Sequence, residues 1–112
     1  MSNILNFSIP EEFTSLCKLD RLIWDLSREN FDNSIASIQE ILQNSDINVK
    51  YILHMIDEVA ARRINNLVLY ARLIINVCPD LSDTKMFAHE CIANAVNFLI
   101  NPTEMTLSLI HI

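Results

Sequence analysis

The segment Leu67–Val77, Leu-Val-Leu-Tyr-Ala-Arg-Leu-Ile-Ile-Asn-Val, restricts what this chain can fold into more than any other stretch. Its apolar residues do not keep to one stripe. Leu67, Tyr70, Ala71 and Ile74 share one face at helical spacing, and Leu69, Leu73 and Val77 fill the next. Only Arg72 and Asn76, stacked one turn apart, are suited to water. A helix that is apolar nearly all round must be covered on several sides, so the segments before and after it have to wrap it. The expected fold is therefore all-α, with about five helices in antiparallel pairs. Such an array is either a compact helical bundle or the start of an α-solenoid.

The absence of glycine from all 112 residues points the same way. Sheets and tight hairpins usually need glycine for positive φ, so helices joined by Asn/Asp/Ser loops are favoured. The first helix follows Ser8-Ile9-Pro10-Glu11, a capping box with proline in the first turn. It carries Phe13, Leu16, Leu19, Leu22, Ile23 and Leu26 and should fade near Arg28. A second helix begins after Asn30-Phe31-Asp32, capped by Asp32 or Asn33, and shows the stripe Ile35, Ile38, Ile41, Leu42. After the break at Asn44-Ser45-Asp46, a third covers about Val49 to Arg63, with Ile52, Leu53, Ile56, Val59 and Ala60 inward. Ile64-Asn65-Asn66 turns the chain into the central helix, which Cys78-Pro79 ends. A fifth is expected from Ser82 or Asp83 to about Ile100, stopped by Asn101-Pro102.

Charge and the N-terminal sequence narrow the function classes. The net charge is −6, with 8 Lys and Arg against 14 Asp and Glu, and no basic run. Nucleic-acid binders need a positive footprint to neutralise phosphates, and membrane-surface helices want Lys/Arg on the polar face. Neither a nucleic-acid nor a membrane partner is expected. Met1–Ile9 has no basic region and no long apolar core, so it does not read as a signal peptide. The longest apolar run is shorter than a membrane span and contains Arg72. A cytoplasmic protein is the expectation.

Chemistry finds little purchase. Cys17, Cys78, Cys91, His54, His89 and His111 lack the close Cys/His pairing of zinc sites, and the thiols read as buried structural groups. His89-Glu90 opens like the zinc-protease pattern His-Glu-x-x-His, but Ala93 stands in place of the second histidine. Glu11-Glu12 suits a first helical turn, and Asp57-Glu58 is expected on the outer, solvated side of the third helix. A phosphate-cradling glycine loop is impossible without glycine. The central helix shows too few polar groups to read base edges. No catalytic residue, cofactor or metal is expected.

Arg62, Arg63, Asn66 and Tyr70 are the candidates for contact with a protein partner, since arginine and aromatic residues are favoured at binding hot spots. Their competing role is structural, because they flank the most buried helix. There Tyr70 buries its ring and bonds its hydroxyl, while Arg63 covers apolar surface with its stem. Trp24, among Leu22, Ile23 and Leu26, reads as core.

One order of features is familiar. From Phe31 to Leu73, an isoleucine-striped helix ends Ile-Leu-Gln-Asn-Ser, and a third helix closes on Arg63. Then comes Ile64-Asn65-Asn66-Leu67-Val68-Leu69-Tyr70 and an apolar helix through Leu73. This resembles the helical segment that precedes the repeats in large ankyrin-repeat families of unicellular eukaryotes. Those often carry an arginine, then an asparagine, then Leu-Tyr and a leucine three residues on, a pattern matched by Arg63, Asn66, Leu69, Tyr70 and Leu73. The resemblance implies a non-catalytic protein–protein interaction or scaffold module leading an ankyrin-repeat protein, although residues 1–112 hold no ankyrin repeat. The alternative is a free-standing regulatory or oligomerisation helical bundle.

Leu107-Ser108-Leu109-Ile110-His111-Ile112 is also what CTG-TCT-CTT-ATA-CAC-ATC encodes, the transposon end used in sequencing libraries. The expectation is a single helical domain over residues 1–106, the N-terminal fragment of a longer protein, with 107–112 a non-native tail.

Overall fold

A computed structural model describes residues 11–81 and 84–100 of the chain. These form five α-helices: α1 (Glu11–Trp24), α2 (Phe31–Gln43), α3 (Val49–Arg62), α4 (Leu67–Val77) and α5 (Glu90–Ile100). Short 3-10 turns at Ile64–Asn66 and Thr84–Met86 precede α4 and α5. No strand occurs among the described residues, and none of them has positive φ, so no loop there needs the missing glycine.

The fold is an all-α bundle in which helices alternate between two layers. α1 packs on α2 and α3 on α4; α3 also packs on α1 and α5, and α4 on α2 and α5. The odd helices thus form one layer and the even helices the other. Their shared core joins Leu19, Ile23 and Leu26 to Ile38, to Ile52, Leu53 and Ile56, to Tyr70, Leu73 and Ile74, and to Ile92 and Val96. α4 is covered by α2, α3 and α5, as its composition requires. Arg72 and Asn76 do face solvent, but so does Val68, at 51% exposure.

Several boundaries differ from the sequence expectation for physical reasons. The Ser8–Glu11 capping box starts outside the described residues. α1 ends at Trp24 rather than near Arg28 because Leu26 turns into the core and side chains from the α3–α4 junction take the last carbonyls. α2 begins at Phe31, ahead of Asp32 and Asn33. Asn30 precedes it but spends its side chain on the loop: its Oδ1 accepts from the Ser27 N–H at 2.8 Å and its Nδ2 donates to the Asp25 carbonyl at 2.8 Å. α3 is capped by Asn48, whose Oδ1 accepts from the Lys50 N–H at 2.9 Å. α5 starts only at Glu90, because Phe87 leaves the helical path to enter the core and Asp57 engages the backbone at Ala88. Ser82, Asp83, Asn101 and Pro102 lie outside the described residues, as does the segment 107–112 with His111.

Candidate functional site

Arg63, Asn66 and Tyr70 sit where α3 hands over to α4, and they converge on the C-terminal end of α1. The last carbonyls of an α-helix have no partner within it. Here the Tyr70 hydroxyl donates to the Ile23 carbonyl at 2.6 Å. Arg63 Nη1 donates to the Trp24 carbonyl, to the Leu26 carbonyl at 3.3 Å and to the Tyr70 hydroxyl at 3.1 Å. Asn66 Nδ2 reaches the Leu26 carbonyl at 3.5 Å. The guanidinium also places positive charge at the negative end of the α1 dipole. Tyr70 is 0% exposed, and Arg63 and Asn66 are half-buried. Three of the four candidate contact residues thus bond to the end of α1, and of these only Tyr70 has no exposed surface.

Burial raises the pKa of the Tyr70 phenol above its usual value; the charge and hydrogen bond of Arg63 oppose this, and Asp25 adds to it. The unfolded chain ionises its tyrosines near pH 10, while the folded chain still holds this proton. Above about pH 10 the unfolded state thus binds fewer protons, and stability must fall as pH rises. Urea midpoints taken from pH 9 to 11 should decline more steeply for the wild type than for Tyr70→Phe. Equal slopes would exclude a buried, proton-holding phenol.

Asp57 corrects the expectation of a solvated Asp57-Glu58 pair. It is 1% exposed, and its Oδ2 accepts from the Ala88 N–H at 2.8 Å. Its Oδ1 lies 3.2 Å from His89 Nδ1. The carboxylate thus holds the chain just before α5, where the free N–H groups of a helix start favour negative charge. A signal was available: Asp57 shares the face of Leu53 and Ala60 on α3. Asp57, Glu58 and His89 bring ligand-type atoms within 4.8 Å of one another, but both Asp57 oxygens already have protein partners. Asp57→Ala should cost about 1–3 kcal/mol by orphaning the Ala88 N–H, measurable by urea unfolding. An unchanged midpoint would mean that water replaces the carboxylate. The thiols also differ from expectation: Cys17 is exposed, and Cys78 and Cys91 are only half-buried.

Arg62 alone of the four candidates points outward. It lines a cleft of about 330 Å3 between α1 and α3 with Asp20, Trp24, Tyr51, His54 and Glu58. Tyr51, His54, Glu58 and Arg62 run along one side of α3, and Asp20 and Trp24 along the facing side of α1, at one-turn spacings. Trp24 is half-buried, its apolar part packed on the core, and Tyr51 is 53% exposed. Sequence reasoning passed over Tyr51 because a single aromatic residue on an otherwise amphipathic helix carries no periodic signal. An exposed tyrosine, a tryptophan edge and an arginine together make the composition of a protein-binding hot spot. No described helix is long and apolar enough to cross a membrane.

Comparison with known proteins found no matching family model, no matching curated protein and no matching solved structure.

Proposed function

We propose that this chain is a non-catalytic protein–protein interaction or scaffold module that leads an ankyrin-repeat protein, with the α1–α3 cleft as its contact surface. The observation that carries the reading is the gathering of Trp24, Tyr51 and Arg62 around one open cleft. Aromatic and arginine side chains in a partly enclosed site are the usual anchors of protein recognition. Charges of both signs line the same cleft, a composition that favours an oriented polar partner surface over an anionic polymer. The ankyrin part of the proposal rests on the pattern of Arg63, Asn66, Leu69, Tyr70 and Leu73 alone.

Two experiments test it. Sequencing the native locus past the codon for Thr106 should show ankyrin repeats downstream. A native stop after Ile112 would remove the scaffold reading and leave a free-standing regulatory or oligomerisation bundle. In the full-length native protein, Arg62→Glu and Tyr51→Ala should each reduce recovery of a co-purifying protein at least tenfold. Their melting temperatures should stay near wild type, since exposed substitutions cost about 0.5 kcal/mol or less. Undiminished recovery with both variants would remove the cleft from the interface.

A further inference from the structure

Asp57 is the one carboxylate buried among the described residues. It projects from α3 towards the segment that leads into α5, and a buried carboxylate is costly unless donors or opposite charge meet it. The Ala88 N–H answers Oδ2 at 2.8 Å. Oδ1 faces His89 Nδ1 at 3.2 Å, an atom that can hold either a proton or a metal ion in the same place. Glu58, the next residue on α3, supplies a third donor. One ligand atom from each of Asp57, Glu58 and His89 lies within 4.8 Å of the other two.

We infer that Asp57, Glu58 and His89 form a binding site for a dication of the Zn2+ type, which ties α3 to the start of α5. In a tetrahedral zinc site the ligand atoms lie about 2.0–2.2 Å from the metal, and so roughly 3.3–3.6 Å from one another. The 3.2 Å between Asp57 Oδ1 and His89 Nδ1 is already close to that spacing. Glu58 and His89 are part-exposed, so the ion has a way in and the Glu58 side chain has room to close on it. The Ala88 N–H on Oδ2 fixes the orientation of the Asp57 carboxylate, as outer-shell partners of metal ligands do.

Charge and ligand type define the ion. Two carboxylates neutralise a dication, which matters beside the positive end of α5. An imidazole among the ligands favours Zn2+ over Mg2+ and Ca2+, which prefer oxygen alone, and the set holds no thiol to favour Cu(I). On binding, the proton on Nδ1 passes to solvent, the metal bond takes its place, and water fills the fourth position. Spacing along the chain hides the site, because Asp57 and His89 are 32 positions apart and meet only in the fold. The site rests neither on the ankyrin reading nor on the α1–α3 cleft as a contact surface.

Calorimetric titration of the reduced full chain with ZnCl2, after chelation, tests the inference. The wild type should take up one Zn2+ that His89→Ala and Asp57→Asn each bind at least about tenfold more weakly, a loss seen even for outer-shell partners of a metal. Its melting temperature should rise as the ion binds, since a ligand of the folded state stabilises it, and that rise should vanish in both variants. Asp57→Asn keeps an acceptor for the Ala88 N–H, so weaker binding with unchanged circular dichroism separates ligation from folding. If Asp57→Asn loses helical signal, the part-exposed His89→Ala decides. Excess MgCl2 should not displace the zinc. Undiminished binding in His89→Ala would place the ion on the thiols or the other histidines and overturn the inference. Absence of binding in the wild type would do the same, as would displacement by MgCl2, which marks an unspecific acidic surface.

Discussion

Tyr70→Ala should destabilise the protein by about 3–5 kcal/mol, the usual cost of truncating a large buried aromatic residue. Two losses add together. The ring fills the centre of the core, fully removed from solvent among Ile23, Leu73 and Ile74, and its hydroxyl is the partner of the Ile23 carbonyl at 2.6 Å. Tyr70→Phe separates them: it keeps the ring, leaves the Ile23 carbonyl only the Leu26 N–H at 3.4 Å, and should cost about 0.5–1.5 kcal/mol. A domain of this size has only about 5–15 kcal/mol in total, so Tyr70→Ala should move the urea midpoint a long way. A near-neutral result would place the side chain at the surface and return it to the candidates for partner contact.

Arg63→Ala should come second, at about 2–3 kcal/mol. Hydrogen bonds from a charged donor are worth more than neutral ones, and the acceptors left behind are the Trp24 and Leu26 carbonyls at the end of α1, the second of which keeps only Asn66 at 3.5 Å. Arg63→Lys should recover only part of the loss, because all three contacts leave the single nitrogen Nη1 and a lysine ammonium on its shorter stem stops short of that position. Since Arg63 and Tyr70 touch, their effects should not add. A cycle of Arg63→Ala with Tyr70→Phe should show a coupling of about 0.5–3 kcal/mol. Additive losses in urea unfolding would mean that the two side chains serve α1 independently.

The spacing of Arg63, Asn66 and Tyr70 has a structural purpose in this fold. An arginine, an asparagine three residues later and a tyrosine seven residues after the arginine lie along one side of the turn into α4. From there all three reach the end of α1. Any chain that pins one helix end with the start of another could use the same spacing.

How far the fold was legible depended on whether the information was local. The limits of α2, α3 and α4 followed within a few residues from apolar spacing and from Asn/Asp/Ser breaks, because helical period and capping are properties of neighbouring residues. The inward Tyr70 followed from its place on an all-round apolar helix. Asp57 was misplaced because an acidic residue next to Glu58 reads as solvated until its partner is known, and that partner, the backbone at Ala88, comes from another helix. Tyr51 escaped notice for the same reason: its significance lies in standing opposite Trp24 across a cleft.

From its sequence alone this chain was determined to be all-α, built around Leu67–Val77, because a helix with so little polar surface has no stable state except one wrapped by other helices. Only the tertiary structure decided where α1 and α5 stop and start, which way Arg63 and Asp57 face, and which apolar side of α4 the described helices leave open. Those outcomes depend on which carbonyls, N–H groups and side chains meet across the core. Residues distant in sequence supply these partners, and no local period encodes them.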